Sequence, residues 1–256
     1  MLDLGLTSKV AIITGGSEGL GRATAMRFAS EGARVVICAR RKDVLQRAAE
    51  AIRKQTGVQV LAQPADVTRP ADVEAVVNAT LGAYGGVDIL INNAGTSSAG
   101  PFEQVDDATW DADLQVKLMA AVRFCRLVIP HMKHRGGGRI VNVTTVGGKA
   151  PAARALPTSV TRAAGINLTK SLANEYAPDR ILVNTICLGL VKSAQWERRA
   201  KGDLEGYYRE VGKRVPVGRV GEAEEFADLA AFLCSARAAY ITGTAINFDG
   251  GMSAAF

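Results

Sequence analysis

The chain has 256 residues, 48% of them hydrophobic, with 27 glycines, four cysteines and a formal net charge of +6. That length suits one doubly wound α/β sheet with a large core, and no apolar run approaches the roughly 20 residues that span a bilayer. Basic residues are scattered among acidic ones with no aromatic–basic platform, which argues against a nucleic-acid partner; an anionic cofactor or substrate accounts for the charge more simply.

The opening Met1-Leu-Asp-Leu-Gly5 lacks the basic and apolar regions of a secretory signal. Cys38, Cys125, Cys187 and Cys234 lie far apart, mostly within apolar runs and without metal-like spacing. The expectation is a cytoplasmic protein with buried free thiols, no disulfide framework and no bound metal.

Apolar runs then alternate with helical patterns along 1–256, read as one domain. The first strand, Val10–Thr14, runs into Gly15-Gly16-Ser17-Glu18-Gly19-Leu20-Gly21, and a helix follows over Gly19–Ser30. Glycine permits the positive φ and close approach such a turn requires. The helix offers free N–H groups and a positive dipole end to a pyrophosphate. The second strand, Arg34–Ala39, ends at Arg40-Arg41-Lys42 before a helix over Val44–Lys54. A carboxylate at this turn selects NAD through the ribose 2′-hydroxyl, whereas an arginine suits a 2′-phosphate. NADP(H) is therefore favoured over NAD(H), although Glu18 works against a second phosphate.

Val58–Gln63 is the third strand, with Asp66-Val67 beyond it, and Ile89–Asn92 is the fourth, leading into Asn93-Ala94-Gly95. Arg139–Thr144, Ile181–Cys187 and Ala245–Phe248 complete the strands. Such a βαβα rhythm implies α/β architecture: a Rossmann-type doubly wound parallel sheet of about seven strands, with helices on both faces. The chemically suggestive residues fall just past strand ends, where open α/β sheets bind ligands.

Taken together these motifs resemble the short-chain dehydrogenase/reductase family over essentially the whole chain. Thr14-Gly15…Gly19-Leu20-Gly21 is similar to its dinucleotide loop, Asp66-Val67 to its adenine-facing pair, and Asn92-Asn93-Ala94-Gly95 to its NNAG motif. Asn184…Leu188-Gly189…Ser193 resembles its NxxxPGxxxT, with leucine for proline and serine for threonine, and Thr242-Gly243…Asp249-Gly250-Gly251 fits the family tail. The resemblance implies a nicotinamide cofactor, hydride transfer at a carbonyl carbon, and a homotetramer with Asp107–His134 and Thr158–Tyr176 as interface helices. It also implies that residues 190–218 form a variable substrate lid, carrying Lys192, Gln195, Trp196, Arg198, Arg199, Tyr207 and Tyr208.

The family's usual serine, tyrosine, lysine and asparagine are replaced here. The alignment sets Thr145, Thr158, Arg162 and Lys117 at those four positions. A threonine hydroxyl is a far poorer proton donor than a phenol, and arginine stays protonated. Lys117 and Arg162 are expected to project into one pocket, where a second cation and exclusion of water lower a lysine's pKa. Lys117 could then protonate the carbonyl oxygen. The alternatives are a salt-bridged, structural Lys117, or Lys117 and Arg162 together holding a substrate carboxylate or phosphate. Arg162 could also bind the nicotinamide ribose. His131 and His134, at a basic helix end, read as surface or dipole residues.

The reading that follows is an NADP(H)-preferring oxidoreductase for a small carbonyl or alcohol, with an acidic substrate as one option. Its rivals are a non-catalytic NADP(H)-binding sensor or partner subunit, and an enzyme with no net consumption of the cofactor.

Overall fold

A computed structural model of the protein describes residues 3–193 and 202–255. Its strands are β1 (Val10–Thr14), β2 (Arg34–Ala39), β3 (Val60–Pro64), β4 (Ile89–Asn92), β5 (Gly138–Thr145), β6 (Ile181–Leu188) and β7 (Ala245–Phe248). They form one seven-stranded sheet in the order β3-β2-β1-β4-β5-β6-β7, every pairing parallel. The expected doubly wound Rossmann-type sheet is thus present.

Each central strand is buried on both faces because its neighbours on either side are helices. Ile13, Ile37, Ile91 and Val141 point to one face and pack with Phe28 of α1 (Gly19–Ser30), Ile52 of α2 (Lys42–Thr56) and Phe226. Ile12, Val36, Leu90 and Ile140 point to the other, against Val76 of α3 (Pro70–Tyr84) and Phe124. This period of two is the pleat itself. The remaining helices are α4 (Asp107–Leu114), α5 (Ala120–His134), α6 (Thr158–Tyr176), α7 (Leu204–Gly212) and α8 (Ala223–Cys234).

Element boundaries differ from the sequence expectation in ways that local geometry explains. The third strand begins at Val60, not Val58, because α2 ends on Gly57 in a left-handed conformation (φ 75°) and the chain needs two residues to re-enter the sheet. It runs on to Pro64, which an edge strand tolerates. Strands five and six each extend one residue further, pairing Thr145 with Leu188. A π turn, Gln115–Met119, joins α4 to α5; nothing in the sequence pattern signalled it.

β1 and β4 are sheet neighbours, yet β1 leads outward to β2 and β4 to β5. The chain direction reverses between them, and a crevice opens at their carboxyl ends, where such sheets take ligands. All four cysteines are free and buried. Among the described residues no helix is long and apolar enough to cross a membrane.

Candidate active site

The crevice floor is stitched from both sides. The Asn93 and Ala94 N–H groups both donate to Thr14 Oγ1 at 2.9 Å, and Asn93 Nδ2 donates to the Thr14 carbonyl at 2.8 Å. Gly15 and Gly19 have φ of +67° and +51°, and a Cβ on Gly21 would collide with the Gly15 carbonyl oxygen. The turn is therefore a close-packed cradle that only glycine fits. Helix α1 starts at Glu18 with no side-chain cap and no acidic residue in its first turn. Its free N–H groups are thus left open to an anion.

Two contiguous cavities lead away from this cradle and share Gly15, Glu18, Ala94, Gly95 and Thr96. The outer one, about 870 Å³, is also lined by Ser17, Arg40, Arg41, Asp66 and Val67. Asp66 Oδ1 accepts from Thr68 N at 3.0 Å and Thr68 Oγ1 at 2.8 Å. Burial pushes this carboxyl up, but the Thr68 bonds and the charges of Arg40 and Arg69 outweigh it and hold it below the usual carboxylate range. Arg41 donates to Glu18 Oε2 at 2.5 Å. Of the two arginines expected to meet a 2′-phosphate, Arg41 already has a carboxylate partner.

The inner cavity, about 400 Å³, is lined by Leu20, Thr145, Thr158, Arg162, Gly189 and Ser193 among others. Strand β5 delivers Thr145, and the first turn of α6 delivers Thr158 with Arg162 one turn further on. Arg162 Nη1 donates to the Val143 carbonyl at 2.7 Å, while its Nε is buried without a partner. Burial lowers this guanidinium to about 10, with Asp113 opposing.

Lys117 does not line this cavity. It sits in the π turn with 1% of its side chain exposed, ion-paired to Asp113, and donates to Thr158 Oγ1 at 2.9 Å. Thr158 Oγ1 also accepts from Ser98 N at 3.0 Å. Burial lowers the Lys117 ammonium to about 8, helped by the charge of Arg162 and resisted by Asp113. Lys117 and Arg162 are thus brought to one locality, but the lysine meets the cavity only through Thr158.

Sequence reasoning missed Asp113, Thr161 and the Ser98 N–H. Thr161 Oγ1 donates to Asp113 Oδ2 at 2.6 Å. The available signal was the Asp113…Lys117 spacing of four on a helical pattern, which sets a carboxylate and an ammonium side by side. In the expected lid, Tyr208 Oη accepts from Ser193 N at 3.4 Å, Lys192 stands 5.5 Å over the Tyr208 ring, and Lys192 pairs with Glu222 at 2.6 Å. Gln195, Trp196, Arg198 and Arg199 lie outside the described residues. His131 and His134 occupy the last turn of α5. Among the described residues no group of His, Cys, Asp and Glu could hold a metal ion.

This geometry has relatives. A family model described as enoyl-(acyl carrier protein) reductase matches residues 15–253. Dehydrogenase/reductase SDR family member 4 of Oryctolagus cuniculus is 35% identical over 251 residues, covering 96% of this chain and 94% of the relative. The crystal structure of L-sorbose reductase from Gluconobacter frateurii, complexed with NADPH and L-sorbose, superposes with a TM-score of 0.95 at 38% identity, covering the whole of both chains (100% each). An NADPH-bound short-chain oxidoreductase from Pseudomonas aeruginosa PAO1, with an atypical catalytic center, superposes with a TM-score of 0.93 at 34% identity over 98% of this chain and 100% of its own. The protein belongs to the short-chain dehydrogenase/reductase family.

Proposed function

We propose that the protein is an NADP(H)-preferring oxidoreductase that transfers a hydride to or from a small carbonyl or alcohol substrate, and that its proton comes from Lys117 by way of Thr158. The carrying observation is the 2.9 Å hydrogen bond from buried Lys117 Nζ to Thr158 Oγ1 at the wall of the inner cavity. In this reading Thr145, Thr158, Arg162 and Lys117 stand at the positions where the family carries its serine, tyrosine, lysine and asparagine.

A nicotinamide dinucleotide fits the crevice on grounds internal to this chain. The Gly15–Gly21 turn packs so closely on itself that a Cβ on Gly21 would meet the Gly15 carbonyl oxygen, and the α1 N-terminus has no side-chain cap on its donors for a pyrophosphate. Ser17, Glu18, Gly19 and Leu20 border it, Asp66 and Val67 take the adenine side, and Arg40 takes a 2′-phosphate. Asn93, Ala94, Gly95, Gly189 and Ser193 border the nicotinamide half, with Arg162 offering its unpartnered Nε to a ribose hydroxyl or a substrate anion. When bound, the reduced cofactor supplies the hydride. The protein's own part is to hold the substrate oxygen at Thr145 and Thr158, exclude water, and hold a proton at Lys117 Nζ.

Thr158 alone is a weak acid, and direct transfer from Lys117 is blocked by its burial; placed in series, the ammonium supplies the acidity and the hydroxyl supplies the reach. The rival is a non-catalytic NADP(H)-binding protein, in which the buried Asp113–Lys117 ion pair is structural only. The resemblance to the family also supports a homotetramer through α4–α5 and α6. Light scattering tests it against the chain mass of 26.9 kDa.

The deciding experiment follows NADPH oxidation with a panel of aldehydes, ketones and keto acids, comparing wild type with Thr158→Val. The near-isosteric change removes the hydroxyl and spares Lys117. Turnover by wild type and a loss of roughly 10²–10⁴-fold in the variant support the reading. Equal rates remove Thr158 from the proton path. Tight NADPH binding with no turnover by either moves the non-catalytic reading ahead.

A further inference from the structure

Asp113 closes α4, with none of its side chain exposed (0%). A buried carboxylate stays ionised only where donors answer its oxygens. Both oxygens are answered here, by groups from two different elements. Oδ1 accepts from Lys117 Nζ of the π turn, and Oδ2 accepts from Thr161 Oγ1 of α6 at 2.6 Å.

The remaining valences run toward the cavity. Lys117 has a second proton on Thr158 Oγ1 at 2.9 Å, and the same oxygen accepts the Ser98 N–H at 3.0 Å. A hydroxyl oxygen has two acceptor positions and one hydrogen. Both acceptor positions of Thr158 are taken, so its own hydrogen is the donor left for the cavity that Thr158 lines.

We propose that Asp113 is the positioning residue of this site: by holding Lys117 on one side and Thr161 on the other, it aims the ammonium at Thr158 and thereby turns the Thr158 hydroxyl hydrogen into the cavity. The inference rests on the reading that a substrate carbonyl occupies that cavity. During reduction the carbonyl carbon accepts a hydride, with its electron pair, from reduced nicotinamide. The carbonyl oxygen takes the Thr158 proton, and the Thr158 oxygen takes one from Lys117. Lys117 is left a neutral amine that still donates to the Asp113 carboxylate. The charged groups facing Lys117 are Asp113 from α4, which favours the ammonium, and Arg162 from α6, which opposes it.

The test reads Lys117 directly and needs no turnover. The full-length chain, labelled with [ε-13C]lysine and saturated with NADP+, is titrated by NMR, and the Lys117 signal is assigned by its loss in Lys117→Met. Asp113→Asn is expected to move the Lys117 midpoint down by roughly one to three pH units, while Asp113→Glu keeps it near wild type. An unchanged midpoint in Asp113→Asn overturns the proposal. Should Asp113→Asn fail to fold, wild type labelled at the aspartate carboxyl carbon answers alone. A carboxyl signal that moves at the Lys117 midpoint supports the pairing, and the absence of one overturns it. If the titration behaves as expected but wild type reduces no carbonyl, the positioning stands and the oxidoreductase reading falls.

Discussion

At the scale of single residues, the proposed proton path depends on where one ammonium group is kept. Lys117 is held at about 8 because burial penalises its charge and Arg162 adds to that penalty, while Asp113 pulls the other way. An acid must carry its proton to donate it. Carbonyl reduction is therefore expected to be full below pH 8 and to fall as pH rises through that value, which a profile of kcat/KM against pH will read. A flat profile from pH 6 to 10 would remove Lys117 as the proton source. At the other end of the crevice, Arg40 and Arg41 differ by a partner, since Glu18 already holds Arg41. Replacing Arg40 by Ala is expected to weaken NADPH binding by roughly ten- to a hundredfold with little effect on NADH. Glu18→Gln releases Arg41 and is expected to tighten NADPH binding, both read by fluorescence titration of the reduced cofactor.

Among the elements, helix N-termini divide into those closed by the chain's own side chains and those without a side-chain cap, α1, α2, α3 and α6. Helix α4 is capped by Asp106, which accepts from Thr109 N, and α7 by Asp203, which accepts from Gly206 N. Helix α8 has a full capping box between Glu222 and Glu225, and Arg219 clamps Glu225 through two bonds of 2.8 and 2.6 Å. Those Arg219 bonds first, then the Glu222 N–H, hold the Glu225 carboxyl down at about 2. A depressed carboxylate contributes stability above its unfolded value, and that contribution is lost as pH falls toward 2. Glu225→Ala is expected to cost about 1 kcal/mol or less, because the pair is exposed and screened, and to lower Tm by about 2 °C. Thermal denaturation at neutral pH checks this. Helix α1 has no such cap, and its open end faces the glycine cradle. Between α4 and α5 the π turn widens the helix around Lys117, a single-turn distortion that is frequent at functional sites.

The molecule as a whole is tied across its sheet by polar groups as well as by its two apolar layers. Asn92 Nδ2 donates to Asn142 Oδ1 at 2.8 Å, Asn142 Nδ2 to Thr169 Oγ1 at 2.9 Å, and Thr169 meets Thr185 at 2.5 Å. The chain runs from β4 through β5 and α6 to β6, behind the carboxyl ends that carry the site. Breaking a fully satisfied buried network leaves its other members short of partners. Asn142→Leu keeps most of the volume and is expected to destabilise the fold by about 2 kcal/mol or more, lowering Tm by at least about 4 °C. An unchanged melting curve would show that Asn92 and Thr169 find other partners.

Much of this was legible without coordinates. Strand identity followed from apolar runs, because strands covered by helices on both faces must be apolar throughout. The cofactor cradle followed from glycines placed between a strand and a helix, since backbone sterics act locally. Lys117, Thr145, Thr158 and Arg162 could be singled out by their place among the family's motifs. Their mutual arrangement was not legible, because it depends on contacts between residues far apart in sequence, 41 for Lys117 and Thr158 and 60 for Ser98 and Thr158. No periodicity announces that Ser98 N–H and Lys117 share one oxygen of Thr158, or that Glu18 neutralises Arg41. Asp113 went unseen for the same reason: on a helix, a carboxylate four residues before a lysine is usually a solvated surface pair. Only the packing of α4, the π turn and α6 took it out of water. The sequence by itself determined the sheet, the crevice and the residue types offered to it. The tertiary structure decided which of those residues are dry, which are paired and which face the cavity, because burial and hydrogen-bond completion are properties of the packed chain.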